Sequence, residues 1–135
     1  MRASISGEFR PTFHREPPEE AATSVRFDTY DRQLRELALV RLPSAGEEER
    51  RLWAEDFVKD HPGVWVHLPW EGKLARILER EEYFEVTTNR NRDKITLAEQ
   101  RALRQKRVGV MGLSVGGEAA VTLAQEHLCG HIVLA

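Results

Sequence analysis

Residues 107–117, Arg-Val-Gly-Val-Met-Gly-Leu-Ser-Val-Gly-Gly, run an apolar strand into a glycine-rich turn and then into a helix-forming stretch. No other segment constrains the fold as strongly. A phosphate approaches the backbone N–H groups of such a turn only where side chains are absent or small, and the following helix presents its positive end there. From Gly117 to Leu128 the pattern is helical, with Ala120, Val121, Ala124 and Leu128 on one face. Gly130 ends it, and a second apolar strand covers His131 to Ala135. The expected unit is strand–helix–strand, with parallel strands and a right-handed crossover.

The dinucleotide fingerprint G-x-G-x-x-G uses its glycines for the tight turn, for approach to the phosphates and for close helix–strand packing. Laid over Gly112, Leu113, Ser114, Val115, Gly116 and Gly117, the first and third positions match and the middle one is Ser114. Serine is small and offers a hydroxyl to a phosphate oxygen, but it restricts backbone angles that glycine allows. The acidic residue that holds a ribose hydroxyl is expected about 20 residues further on, at or just beyond Ala135.

The lead-in to the strand is basic, with Arg90, Arg92, Lys94, Arg101, Arg104, Lys106 and Arg107 against Asp93 and Glu99. Such a run is commonly a solvated helix face. Its position directly before the glycine turn also suits a surface facing polyphosphate. Thr96 and Glu99 have capping-box spacing and predict a helix from about Leu97 to Gln105.

Upstream, residues 1–23 carry Pro11, Pro17 and Pro18 and the acidic Glu16, Glu19 and Glu20, which predicts a mobile arm. Residues 24–88 read as a small α+β extension. Tyr30, Leu34, Leu37 and Leu39 place a helix over Asp28 to Val40, ended by Pro43. Ser44 and Glu47 have the spacing to cap a second helix burying Leu52, Trp53 and Phe57. Gly63 to Trp70 alternates as a strand, with Lys73 to Leu78 as its partner and a short helix or turn over Glu79 to Glu85. Trp53, Trp65 and Trp70 are expected as core anchors rather than a base-stacking platform. No assembled catalytic group is evident between residues 24 and 88.

At 135 residues and 31% charged, the chain has the composition of a globular domain, and its net charge of −2 argues against general affinity for nucleic acid or membranes. No stretch reaches the roughly 18 apolar residues of a membrane span, and Met1 to Arg10 lacks a secretory h-region. A lone Cys129 suits a reducing compartment, so the expected location is cytoplasmic. His127, Cys129 and His131 lie close in sequence, but a helix end and a strand start should send their side chains apart, so no metal site is expected there. Nor does Cys129 have an evident base nearby.

Arg90-Asn91-Arg92-Asp93-Lys94-Ile95-Thr96-Leu97, then Glu99-Gln100 and Leu103, the glycine turn and Cys129 to Ala135 together resemble the amino-terminal edge of the ThiF/MoeB/HesA adenylyltransferase superfamily, related to ubiquitin-activating enzymes. The resemblance covers residues 89–135. It implies an α/β fold, the start of a Rossmann-like, mostly parallel sheet, preceded here by the α+β extension. It also implies ATP-dependent adenylation of a carboxylate, either a small molecule or the carboxyl terminus of a ubiquitin-like carrier protein. Gly112 to Gly117 would line the ATP phosphates, and Arg92, or else Arg90, would match the arginine that reaches ATP, often across a homodimer interface. The family's magnesium-binding aspartate would lie beyond Ala135. Its later arginine and lysine, zinc cysteines and acceptor cysteine have no counterpart in residues 1–135, so this stretch by itself is not expected to complete catalysis. Two other readings stand beside it: an NAD(P)-dependent oxidoreductase fragment, disfavoured by the arginine-rich lead-in, and a non-catalytic partner-binding module.

Overall fold

The computed structural model describes residues 10–135. The chain forms two compact units, dividing between Val86 and Thr87, and each mixes helix with strand. In the first, β1 (Thr12–His14), β2 (Val25–Asp28), β3 (Val64–Leu68) and β4 (Lys73–Ile77) form one sheet in the order β1-β3-β4-β2. The expected hairpin is present, with β3 antiparallel to β4. Its outer neighbours come from earlier in the chain: β1 pairs antiparallel with β3, and β2 parallel with β4.

Part of the stretch read as an arm is therefore structured. Thr12, Phe13 and His14 pair with His67, Val66 and Trp65, and Ala21 is fully buried in a 3-10 turn at Glu19–Ala21. A strand this short has no periodicity of its own to read, and the edge of β3 supplies what sequence composition lacks. The rest of the arm, residues 1–9, lies outside the described residues.

Helices α1 (Tyr30–Arg41) and α2 (Glu47–Asp60) follow β2. Tyr30, Leu34, Leu37 and Ala38 recur at i, i+4, i+7 and i+8 and are buried together. Leu39, expected on that stripe, lies outside it and is 52% exposed. Tyr30, Leu34, Leu37 and Leu78 form the core, with Trp53, Phe57, Val58, Tyr83 and Val86 packed against it. Leu52 and Trp70 are exposed rather than buried, while Trp53 is stacked on Phe57 at 4.8 Å between ring centroids. Ser44 does not cap α2. Gly46 occupies that position, and the carboxylates of Glu47, Glu48 and Glu49 in the first turn favourably face the positive end of the helix dipole.

Helix α3 (Arg80–Thr88) follows β4, and a 3-10 turn at Asn89–Asn91 leads on to α4 (Leu97–Leu103). Next come β5 (Arg107–Val110), α5 (Val115–Gln125) and β6 (His131–Leu134). β5 and β6 pair in parallel, from Arg107 opposite His131 to Val110 opposite Leu134. The capping box at α4 forms as read: Thr96 N–H donates to Glu99 Oε2 at 2.7 Å, and Glu99 N–H donates to Thr96 Oγ1 at 3.2 Å. Among the described residues, no helix is long and apolar enough to cross a membrane.

Candidate functional site

The loop between β5 and α5 is anchored at its root. Ala135 N–H donates to Val110 O at 3.0 Å and Gly112 N–H to Ala135 O at 2.7 Å, so the parallel pairing continues past the strand ends. Gly112 then turns the chain with φ +82°, in the left-handed region that costs L-residues about 1–2 kcal/mol. This is the turn-making role expected of the first glycine.

Ser114 takes the N-cap position of α5 but makes no side-chain capping bond. The first N–H groups of a helix have no intrahelical acceptor, and here the hydroxyl covers none of them. Gly117 N–H donates back to Ser114 O at 3.2 Å. The packing role expected of Gly117 belongs instead to Gly116. A Cβ at Gly116 would stand 3.0 Å from Val110 Cγ1, whereas one at Gly117 would meet nothing within 4 Å. Helix α5 begins at Val115, two residues earlier than expected, and it is Gly116 that faces the strand. Leu113 and Val115 flank the turn with their side chains 57% and 81% exposed.

Arg92 ends the 3-10 turn, its backbone N–H donating to Asn89 O at 3.3 Å and its side chain exposed. Arg90 is exposed in the same turn. Beneath it lies a buried amide clasp. Asn91 Nδ2 donates to Gln100 Oε1 at 3.1 Å and to Glu126 O at 3.3 Å, and Gln100 Nε2 donates to Glu126 O and His127 O, both at 3.0 Å. The clasp ties the arginine turn and α4 to the C-terminal end of α5, whose last carbonyls have no partner within the helix. The α5 terminus is a Schellman motif: Leu128 N–H donates to Leu123 O at 2.9 Å and His127 N–H to Ala124 O at 3.3 Å. His127 takes the left-handed position at φ +52°, where glycine is usual.

His127 Nε2 lies 3.0 Å from Thr87 Oγ1. Burial pushes its pKa below the usual imidazole range, the Arg104 guanidinium adds to this, and Glu126 opposes it. Folding therefore favours the neutral ring. Its contribution to stability is complete above about pH 6.5, where the unfolded imidazole is also neutral. It is lost as pH falls from there through the depressed folded value, because the unfolded chain binds the proton first. Thermal unfolding followed against pH should show this decline, with a shallower slope in His127→Gln. Equal slopes would rule His127 out as its source.

Two groupings in the first unit escaped sequence reading. His61, Glu79 and Glu82 offer ligand atoms within 4.8 Å of one another, and His61 Nδ1 is buried without a hydrogen-bond partner. Both carboxylates are engaged by arginines, Glu79 by Arg15 at 2.8 Å and Glu82 by Arg41 at 3.5 Å. Ser24 and His67 meet across 43 positions of sequence. No local spacing announces either grouping.

No family model matches the chain, and no solved structure matches it. It is 46% identical over 71 residues to "Uncharacterized protein MT1398" of Mycobacterium tuberculosis. The match takes in 53% of this chain and spans only 10% of that relative's length.

Proposed function

We propose that residues 89–135 are the ATP-binding start of a ThiF-type adenylyltransferase, which activates a carboxylate as an acyl-adenylate. The observation that carries this reading is the loop geometry. Gly112 is left-handed at φ +82°, Gly116 lets α5 sit against Val110, and Ser114 caps none of the first-turn N–H groups. Oriented N–H groups and the positive helix end favour phosphate oxygens at that point. The Ser114 hydroxyl is a further donor. Arg92 is the residue proposed to reach the phosphates, within the subunit or across a homodimer, where a guanidinium stabilises transferring phosphate charge in bidentate geometry. Magnesium would neutralise the phosphates, and residues 1–135 contain no match to the family's magnesium-binding aspartate. A cytoplasmic location fits ATP-dependent chemistry. The carboxylate partner is either a small molecule or a ubiquitin-like carrier terminus.

Calorimetric titration with Mg·ATP should give saturable binding that Gly116→Val weakens at least tenfold, about 1.4 kcal/mol. Excess NAD should leave the binding unchanged. An absence of saturable binding at millimolar ATP would overturn the proposal, and displacement by NAD would favour the oxidoreductase reading. Adenylation itself is read by ATP–pyrophosphate exchange in the presence of the carboxylate.

One observation favours a non-catalytic docking module instead. Met111, Leu113, Val115 and Val121 are 89%, 57%, 81% and 55% exposed. Apolar exposure of this kind around one loop and helix marks a covered surface in many proteins. A failed ATP titration would leave that reading in place.

A further inference from the structure

A cavity of about 380 Å³ in the first unit is walled by Thr12, Glu20, Thr23, Ser24 and His67. His67 stands on β3 between Thr12 of β1 and Leu74 of β4 and is only 6% exposed. Among the described residues its side chain has one hydrogen-bond partner: Ser24 Oγ lies 3.3 Å from His67 Nε2. The serine is fixed on both sides, since its own N–H donates to Ala21 O at 3.0 Å and the Val25 N–H donates to Gly72 O at 2.8 Å. A buried imidazole thus holds a pinned, half-buried hydroxyl at the wall of a cavity. With Nε2 unprotonated, the hydroxyl donates to it, which is the arrangement that makes serine nucleophilic.

We propose that Ser24 is an acyl acceptor, with His67 as its general base and the cavity holding an acyl group delivered as an activated ester. The Ser24 Oγ–carbon bond forms while the hydroxyl proton passes to His67 Nε2. The bond from that carbon to the leaving oxygen then breaks, and its electron pair goes with the leaving oxide. The imidazolium proton follows to the oxide or to water, leaving acyl-Ser24 and a neutral imidazole. Glu20 brings an acidic group to the same wall and is given no part in the transfer. This site is independent of the nucleotide loop.

The probe is p-nitrophenyl acetate, applied to the whole chain and followed by p-nitrophenolate release and peptide mass mapping. Acetylation is expected at Ser24. General-base assistance contributes about 10²-fold at its lower end, so His67→Gln should slow acetylation of Ser24 by about that factor, and Ser24→Ala should abolish the modified peptide. The wild-type chain unfolded in urea supplies a second comparison that needs no variant, because unfolding separates the two residues. Its Ser24 should acetylate about 10²-fold more slowly than in the native chain. Absence of acetyl-Ser24 in the native chain overturns the proposal. So does an equal rate in the native and urea-unfolded chains, which would leave the pair as a structural hydrogen bond.

Discussion

Gly63→Ala is expected to destabilise the first unit by about 3 kcal/mol, the sum of a left-handed backbone cost and an overpacking cost. Gly63 has φ +81°, and a Cβ there would lie 2.6 Å from Ile77 O and 2.6 Å from Tyr30 Cδ2. Neither neighbour has room to yield. Ile77 is paired with Val64 in the hairpin, and Tyr30 is fully buried, with its hydroxyl donating to His61 O and the Arg76 guanidinium 4.4 Å from its ring centre. In a unit of this size, that loss corresponds to a fall in melting temperature of roughly 12 °C or more. Gly72→Ala is the control. Its φ of +58° carries the backbone cost, but a Cβ there meets nothing within 4 Å, so it should lose about 1 kcal/mol. Similar losses for both variants in urea denaturation would contradict the steric part of the argument.

The second large effect is expected from Gln100→Leu, which keeps the volume but removes the clasp. Three hydrogen bonds go: the donations to Glu126 O and His127 O, and the acceptance from Asn91 Nδ2. Gln100 is 2% exposed, so solvent cannot take its place without local opening. A buried group left unsatisfied costs about 1–3 kcal/mol, and with more than one such group the expected loss is about 3 kcal/mol. Thr96→Ala, which removes only the exposed cap of α4, should lose about 1 kcal/mol. Amide exchange of residues 123–128 reads the result directly, with strongly faster exchange in Gln100→Leu than in Thr96→Ala. Comparable exchange in the two variants would show that the clasp carries no special weight. Because the clasp holds α5 at the end opposite the glycine turn, Gln100→Leu should also weaken the nucleotide binding proposed above.

What sequence revealed divides along the range of the interaction involved. The strand, glycine turn and helix over residues 107–125 were legible because each depends on neighbours a few positions away, and so was the Thr96–Glu99 box. The parallel β5–β6 pairing matches its expected form. Equal spacing misled at Ser44 and Glu47, where Gly46 took the cap position immediately before the glutamates. A cap is defined by where the backbone turns into the helix, and spacing alone does not locate that turn. The exchange of roles between Gly116 and Gly117 has the same origin, because neighbouring helix positions point about 100° apart around the axis and spacing alone does not say which of the two faces the strand. Gln100 stood inside the motif that carried the family resemblance, yet its structural work of closing the end of α5 depends on carbonyls at Glu126 and His127. The β1 strand and the Ser24–His67 pair rest on partners more than 40 positions distant, beyond the reach of periodicity.

The strand order β1-β3-β4-β2 carries a consequence for synthesis on the ribosome. Both outer strands are made first, and the hairpin they flank is made last, since β2 ends at Asp28 whereas β4 ends at Ile77. Until β3 has left the exit tunnel β1 has no edge on which to dock, and β2 must wait for β4. Helices α1 and α2 can pair in the meantime through local contacts, which form fast. The nascent chain should therefore carry its first strands unpaired for most of the unit's translation, and complete its sheet in a single late step as the hairpin closes between them.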